Sequence, residues 1–410
     1  EQAVDYVYTT EPALSFLFYG VRNQPVMRDI CSRLKAHGAT ATFFATLDEM
    51  QQNSEVIELL LSEGHEIGIA YVESDLYPAN FDSVARYLNS CVQYFQWRYG
   101  VELQTVFLPF DTANDEVKEA VSAMGLDLSG RNITIVKSDQ KDLTVDGIPE
   151  IFETDLSKVN ITRGSQVYFN ASFYAGDQDK ETEGQGETVC GAMVDAVFTY
   201  LIDPIAYRDA VTGQIAEDSR YQVKTCSAVR NSDKCYTLTA DVSKCDILES
   251  NSILKSLNNE EQIQYIAEHY IGTPVAATSA RLPGFIWKEL KQLDKTGRFT
   301  DEPVLYLTFD DWGTDVSINH LLYVLGKYDI KATFYVRANY VSNNPNLLRS
   351  IAEAGHEVAS HGYAHLPLAQ YVEKRGVYVS PTDEAASELR ADVVKSYKEL
   401  YAYIGDVEVD

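Results

Sequence analysis

Short apolar runs alternate with amphipathic stretches near both ends of this 410-residue chain. Residues 304–309 form an apolar run that closes on two acids, the pattern of a buried parallel strand. Ile318, Leu321, Leu322 and Leu325 follow at i, i+3, i+4 and i+7, one face of a helix. Residues 331–336 predict the next strand. Asn344 before Pro345 predicts a helix start, and Gly355 its left-handed stop. Residues 357–360 predict a third strand. This alternation implies an α/β fold with parallel strands.

The same pattern is written earlier in the chain. Ala332-Thr333-Phe334-Tyr335 recurs as Ala41-Thr42-Phe43-Phe44, an offset of 291. Gly355-His356-Glu357-Val358 recurs as Gly64-His65-Glu66-Ile67 at the same offset, and 305–309 falls on 14–18. Two chance matches rarely share one offset, so a duplicated domain is expected. The first copy continues through a helix at 81–99, a strand at 106–110 and a helix at 115–124. Strands near Ile133 and at 166–174 and a closing helix at 189–202 complete it. The expected domains are 1–202, a connector or small cysteine-containing module at 203–300 with a helix at 260–270, and 301–410. The second copy ends soon after a long helix at 383–403, so the chain reads as a piece of a longer one.

The 45% hydrophobic content provides for a sizeable core. No apolar run of eighteen residues predicts a membrane span. The chain opens on Glu1 without a leader, as a processed or trimmed chain would. A net charge of −27 repels nucleic acid and anionic lipid and suits a neutral or amino-sugar ligand, though acidity also serves solubility. Of six cysteines, Cys226, Cys235 and Cys245 cluster without zinc-finger spacing, and one or two disulfides there are expected of an exported protein.

Chemistry concentrates at two predicted strand ends. Thr308-Phe309-Asp310-Asp311-Trp312-Gly313 places two carboxylates at the carboxyl edge of a parallel sheet, where α/β folds build their sites. His361-Gly362-Tyr363-Ala364-His365 ends the third strand, with two imidazoles four residues apart. Alone, Asp-Asp is most often a cap and H-x-x-x-H a surface pair. Together they form a set of two His and one Asp for a divalent metal, with a second Asp to take a proton from water, the ingredients of amide or ester hydrolysis.

With the Ala332 and Gly355 motifs, these residues resemble the polysaccharide deacetylase family, also called the NodB-homology or carbohydrate esterase 4 family. The resemblance implies a distorted (β/α) barrel and removal of N- or O-acetyl groups from glycans of peptidoglycan, chitin-like or plant type. It implies Asp310 as general base acting on a metal-bound water, Asp311, His361 and His365 as metal ligands, and Zn2+ as the usual metal. The acetylated polysaccharide is then the partner, and the location extracellular or at the cell surface. Trp312 stands where the family has Gly, and its indole is a candidate platform for a sugar ring. The family's Arg-Pro-Pro strand and late general-acid His are not found after residue 365, so the 410-residue chain is expected to be inactive by itself.

Shifted by 291, Asp310, Asp311, His361 and His365 become Tyr19, Gly20, Ala70 and Ser74. The first copy is thus expected to be degenerate, structural or sugar-binding. The alternative for the whole chain is a non-catalytic glycan-binding or scaffolding protein. A haloacid-dehalogenase-type phosphatase is disfavoured because Trp312 occupies the place of its second Asp. A two-His-one-carboxylate iron oxygenase is disfavoured by the Asp-Asp doublet and the α/β pattern.

Overall fold

The computed structural model describes residues 5–135, 143–172, 188–245, 305–367, 370–379 and 382–407. The helix expected at 260–270 lies outside them. The chain divides into two compact units, one of Glu1–Thr237 with Gly313–Lys327 and one of Leu238–Trp312 with Tyr328–Asp410.

In the first unit, β1 (Ala13–Tyr19), β2 (Thr42–Ala45), β3 (Glu66–Ala70), β4 (Thr105–Phe107), β5 (Asp127–Ser129), β6 (Ile133–Thr134) and β7 (Gln166–Asn170) form one parallel sheet. Its order is β5-β4-β3-β2-β1-β7-β6. Laid flat, seven strands would hold the edge strands about 29 Å apart. Ser129 and Ile133, on those two edges, are four residues apart and can be separated by at most about 14 Å. The sheet must therefore curl until its edges approach, which makes it a distorted barrel open between β5 and β6.

Alternation sorts the side chains. Phe16, Phe18, Phe43, Ile67, Ile69, Val167 and Phe169 face a core shared with the surrounding helices, among them α1 (Gln24–Ala36), α3 (Ser54–Ser62), α4 (Phe81–Tyr99), α5 (Asp115–Ala123) and α7 (Val189–Val197). The short helices α2 (Leu47–Gln52) and α6 (Ile148–Glu153) complete the set. Leu17, Tyr19, Phe44, Ala70, Phe107 and Tyr168 fill the barrel interior with Cys226. A Cβ on Gly68 would meet the Phe44 ring at 2.4 Å, so only glycine fits beside that phenylalanine.

Residues 203–237, expected as connector, extend the first unit. Strand β8 (Gln222–Lys224) pairs with the start of β1, and α8 (Cys226–Arg230) follows it. Cys226 N donates to Thr42 Oγ1 at 2.8 Å and Ser227 N to Glu66 Oε2 at 3.0 Å. Among the described residues no disulfide is formed, against the expectation for Cys226, Cys235 and Cys245. Cys226 is committed to the barrel interior, and Cys235 Sγ instead donates to Val229 O at 2.9 Å.

Helix α9 (Asp315–Lys327) also belongs to the first unit. Tyr221 OH donates to Asp315 Oδ2 at 2.8 Å and accepts from Asn319 Nδ2 at 2.7 Å and Arg163 Nη1 at 2.9 Å. All four side chains are buried.

In the second unit, β9 (Thr308–Asp310), β10 (Thr333–Val336) and β11 (Glu357–Ser360) form a parallel sheet of order β11-β10-β9. Helix α10 (Pro345–Glu353) starts as expected, with Asn344 Oδ1 accepting from Leu347 N at 3.3 Å, and Gly355 follows at φ 78°. Phe334, Val336, Leu347, Leu348 and Ile351 are buried. A hairpin, β12 (Gln370–Val372) and β13 (Val377–Val379), precedes helix α11 (Asp383–Ile404).

Local details repeat at the offset of 291. His65 Nδ1 accepts from Ala41 N at 3.3 Å, and His356 Nδ1 from Ala332 N at 3.3 Å. Thr42 Oγ1 donates to Glu66 at 2.8 Å, and Thr333 Oγ1 to Glu357 at 2.6 Å. Tyr335, however, is 37% exposed where Phe44 is fully buried, for no described element covers that face of the second sheet.

Candidate metal centre

Asp310 is the last residue of β9, in register with Tyr335 of β10. It is exposed and forms no hydrogen bond or ion pair with any described residue. The next residue, Asp311, takes a left-handed backbone at φ 70°, which turns its side chain out of the strand's alternation. Asp311 Oδ1 lies 3.8 Å from His361 Nε2 and 3.8 Å from His365 Nε2. The two Nε2 atoms are 3.1 Å apart. One donor atom from each of the three residues falls within a common span of 4.8 Å.

The donor set fits a divalent cation. Two imidazole nitrogens bound to one zinc at about 2.05 Å in tetrahedral geometry stand about 3.3 Å apart. The 3.1 Å pair is close to that spacing, and the carboxylate oxygen needs to move inward by only a few tenths of an ångström. Both imidazoles are partly exposed, so the group is open to solvent. Trp312 follows, half-buried.

The histidine loop is held from behind by residues that sequence reading missed. Asp392, on α11 and 8% exposed, accepts Tyr363 N at Oδ2 (2.8 Å) and Ala364 N at Oδ1 (2.7 Å). One helical turn on, the buried Ser396 hydroxyl lies 2.6 Å from Ser360 Oγ, which accepts Gly362 N at 3.1 Å. His361 N donates to Val336 O at 2.9 Å. Gly362 has φ 79°, and a Cβ there would meet Asp392 Oδ2 at 2.9 Å, so the tight loop requires glycine. The available signal was the i, i+4 spacing of Asp392 and Ser396 on one helix face.

The corresponding positions of the first unit carry none of this chemistry. Tyr19 is buried, its hydroxyl pushed up to about 12 by desolvation, and its ring meets Phe110 edge-on at 5.3 Å. Gly20 has φ 92°, Ala70 is fully buried and Ser74 lies in a turn with Tyr77.

The polysaccharide deacetylase model matches residues 10–129 and 297–409, more than half of the chain. The chain belongs to the polysaccharide deacetylase family. A chitooligosaccharide deacetylase of Sinorhizobium fredii is 38% identical over 86 residues, 20% of this chain and 39% of that protein. The peptidoglycan-N-acetylmuramic acid deacetylase PdaA of Bacillus subtilis is 26% identical over 106 residues, 26% of this chain and 35% of its own length. The chain therefore spans well under half of either relative. Among solved structures, a CE4 family pseudoenzyme from Bacillus anthracis superposes with a TM-score of 0.40 at 14% identity, covering 54% of this chain and 66% of that one. The peptidoglycan deacetylase PdaC from Bacillus subtilis gives 0.37 at 16% identity, with 62% and 100% covered. Among the described residues no helix is long and apolar enough to cross a membrane.

Proposed function

We propose that the chain is a metal-dependent hydrolase that removes N- or O-acetyl groups from a polysaccharide of peptidoglycan, chitin-like or plant type, outside the cell or at its surface. The convergence of Asp311, His361 and His365 beside Asp310 carries this reading. Asp311, His361 and His365 hold a divalent cation, and two imidazoles with one carboxylate suit zinc. When bound, such a cation polarises an acyl carbonyl and lowers the pKa of water. Asp310, exposed and uncommitted, is the general base that takes the proton of the attacking water. Asp392 and Ser396 orient the two histidines through the loop. Trp312 offers an indole face to a sugar ring.

The two family segments are read as a duplication. A degenerate domain at 1–202 and a domain at 301–410 carrying the motifs flank a connector at 203–300, the first part of which adds β8 to the first sheet. The common hydrogen bonds of His65 and His356 support this. Tyr19, Gly20, Ala70 and Ser74 favour a second, narrower reading in which the first domain only binds or scaffolds glycan.

The test compares metal content and acetate release. Asp310→Asn should retain metal and, under any condition in which the wild type releases acetate, lower that release by roughly 10²–10⁴-fold. The His361→Ala, His365→Ala double variant should lose both. Stoichiometric metal in that double variant would sink the assignment. Metal loss in Asp310→Asn would mean the two acids exchange roles. Glycan retention without acetate release by the metal-loaded chain would favour the non-catalytic reading.

A further inference from the structure

Arg337 follows the last residue of β10. The backbone ladder continues past the strands there, with His361 N donating to Val336 O at 2.9 Å and Ala338 N to Gly362 O at 3.1 Å. Arg337 therefore stands next to the histidine loop at the carboxyl edge of the sheet. Side chains alternate along a strand, so Arg337 continues the face of Tyr335, whose register partner is Asp310.

What this arginine does not do is informative. Its counterpart at the offset of 291 is Thr46, whose hydroxyl caps helix α2 by accepting Glu49 N. Arg337 makes no hydrogen bond or ion pair with any described residue, and its Nε is buried without a partner. Its guanidinium lies over the Tyr340 ring at 5.5 Å, and that ring is 46% exposed. Two residues along, Asn339 Oδ1 is also buried and unpartnered. A donor and an acceptor thus stand close in sequence, unbonded to each other, at the edge where the candidate metal ligands converge.

A chain with 61 acidic and 34 basic residues has abundant carboxylates to offer an arginine, yet among the described residues none engages this one. The contact with the tyrosine ring steadies the guanidinium, and its two Nη groups form no hydrogen bond with any described residue. The guanidinium's N–H edge matches a carboxylate in bidentate fashion better than it matches a hydroxyl.

We propose that Arg337 is a substrate-binding residue that takes a carboxylate carried by the glycan, either on a lactyl ether or on a uronic acid. The proposal rests on the deacetylase reading above and narrows its substrate class. The net charge of −27 does not oppose it at this range. Fields between exposed charges are screened beyond about 8 Å at physiological salt, whereas a bidentate contact is decided at hydrogen-bond distance.

Binding to the 410-residue chain is measured by calorimetry with three tetrasaccharides. They are a plain N-acetylglucosamine oligomer, one alternating with N-acetylmuramic acid, and one alternating with glucuronic acid. A carboxylate-bearing oligomer should bind at least about tenfold more tightly than the neutral one. Arg337→Gln should erase that preference and leave the neutral oligomer unchanged, while Arg337→Lys restores part of it. The preferred acid identifies the source of the carboxylate. Equal binding of all three, or a preference that survives Arg337→Gln in a variant with unchanged thermal midpoint, overturns the proposal while the deacetylase reading stands. No binding of any oligomer overturns the proposal, while stoichiometric metal kept by the His361→Ala, His365→Ala double variant overturns the deacetylase reading it rests on.

Discussion

Gly20 and Asp311, 291 positions apart, hold the same left-handed backbone, at φ 92° and 70°. Glycine adopts that conformation freely, whereas an aspartate there is strained by about 1 kcal/mol. The strain falls where the carboxylate faces His361 and His365. Asp311→Gly should therefore stabilise the chain by about 1 kcal/mol while abolishing metal binding, read by denaturant midpoint and by metal analysis. A destabilised variant would show that the carboxylate itself holds the fold in the absence of metal. The reverse change, Gly20→Asp, should not rebuild a site, because a Cβ there would meet Ser172 Oγ at 2.5 Å.

Asp392 should set metal affinity without touching the metal. It accepts two backbone N–H groups of the histidine loop at 2.7–2.8 Å. Asp392→Asn turns one acceptor into a donor that faces an N–H, so the loop must loosen. Loss of such supporting partners typically lowers metal affinity about 10–100-fold. Chelator competition with zinc gives the number, and Ser396→Ala should show a smaller loss. Unchanged affinity in a folded Asp392→Asn chain would remove Asp392 from the site.

Strand–helix alternation and two shared motifs were enough to read the sheet of each unit, since Thr333 to Val336 carries period-two burial and both motifs fall on strands that pair in register. The convergence of Asp311, His361 and His365 was legible because both groups end strands that pair with β10. Helix α9 was read correctly as a helix, but an amphipathic face says what is buried and not against what. Asp315 and Asn319 look like ordinary helix-start and surface residues until Tyr221 is seen between them. Residues 222–230 read as polar connector because their three buried apolar side chains, Val223, Cys226 and Val229, are scattered among polar ones, and because Thr42 and Glu66, far off in sequence, anchor the backbone of Cys226 and Ser227. Arg337 carries no sequence signal at all, for its lack of partners among the described residues exists only in three dimensions.

The first unit should depend on α9. Arg163 and Asp315 are buried, 3.8 Å apart, with the Tyr221 hydroxyl bonded to both. Removing one partner of a buried ion pair costs about 3–5 kcal/mol. Asp315→Ala should lower the thermal midpoint accordingly, and Tyr221→Phe should cost less, about 1–3 kcal/mol. Residues 1–237 made without 313–327 should be less stable than the whole chain and gain stability when that segment is added as a peptide. If the peptide has no effect, α9 is a passenger on this surface.

His65 should make the first unit sensitive to acid. It is 6% exposed, packs against Phe43, and accepts Ala41 N at Nδ1, so its proton sits on Nε2, which has no partner among the described residues. Burial pushes its pKa down to about 4, opposed only by the Glu63 carboxylate. An unfolded histidine titrates near 6.5. Between those values the unfolded chain binds a proton that the folded chain refuses, so stability falls as pH drops. The contribution is whole above about 6.5 and is lost by about 4, amounting to about 3 kcal/mol. His65→Gln removes the titrating group and keeps a side-chain oxygen that can accept from Ala41 N. Its unfolding free energy should decline less than the wild type's between pH 7 and pH 4.5, because the carboxylates that titrate over the same range are common to both proteins and cancel in the difference. His356 is shifted in the same direction, also by burial, and contributes a parallel loss that His65→Gln leaves in place. Identical pH slopes for wild type and variant would mean that His65 is protonated in the folded state and that its buried ring is reached by water.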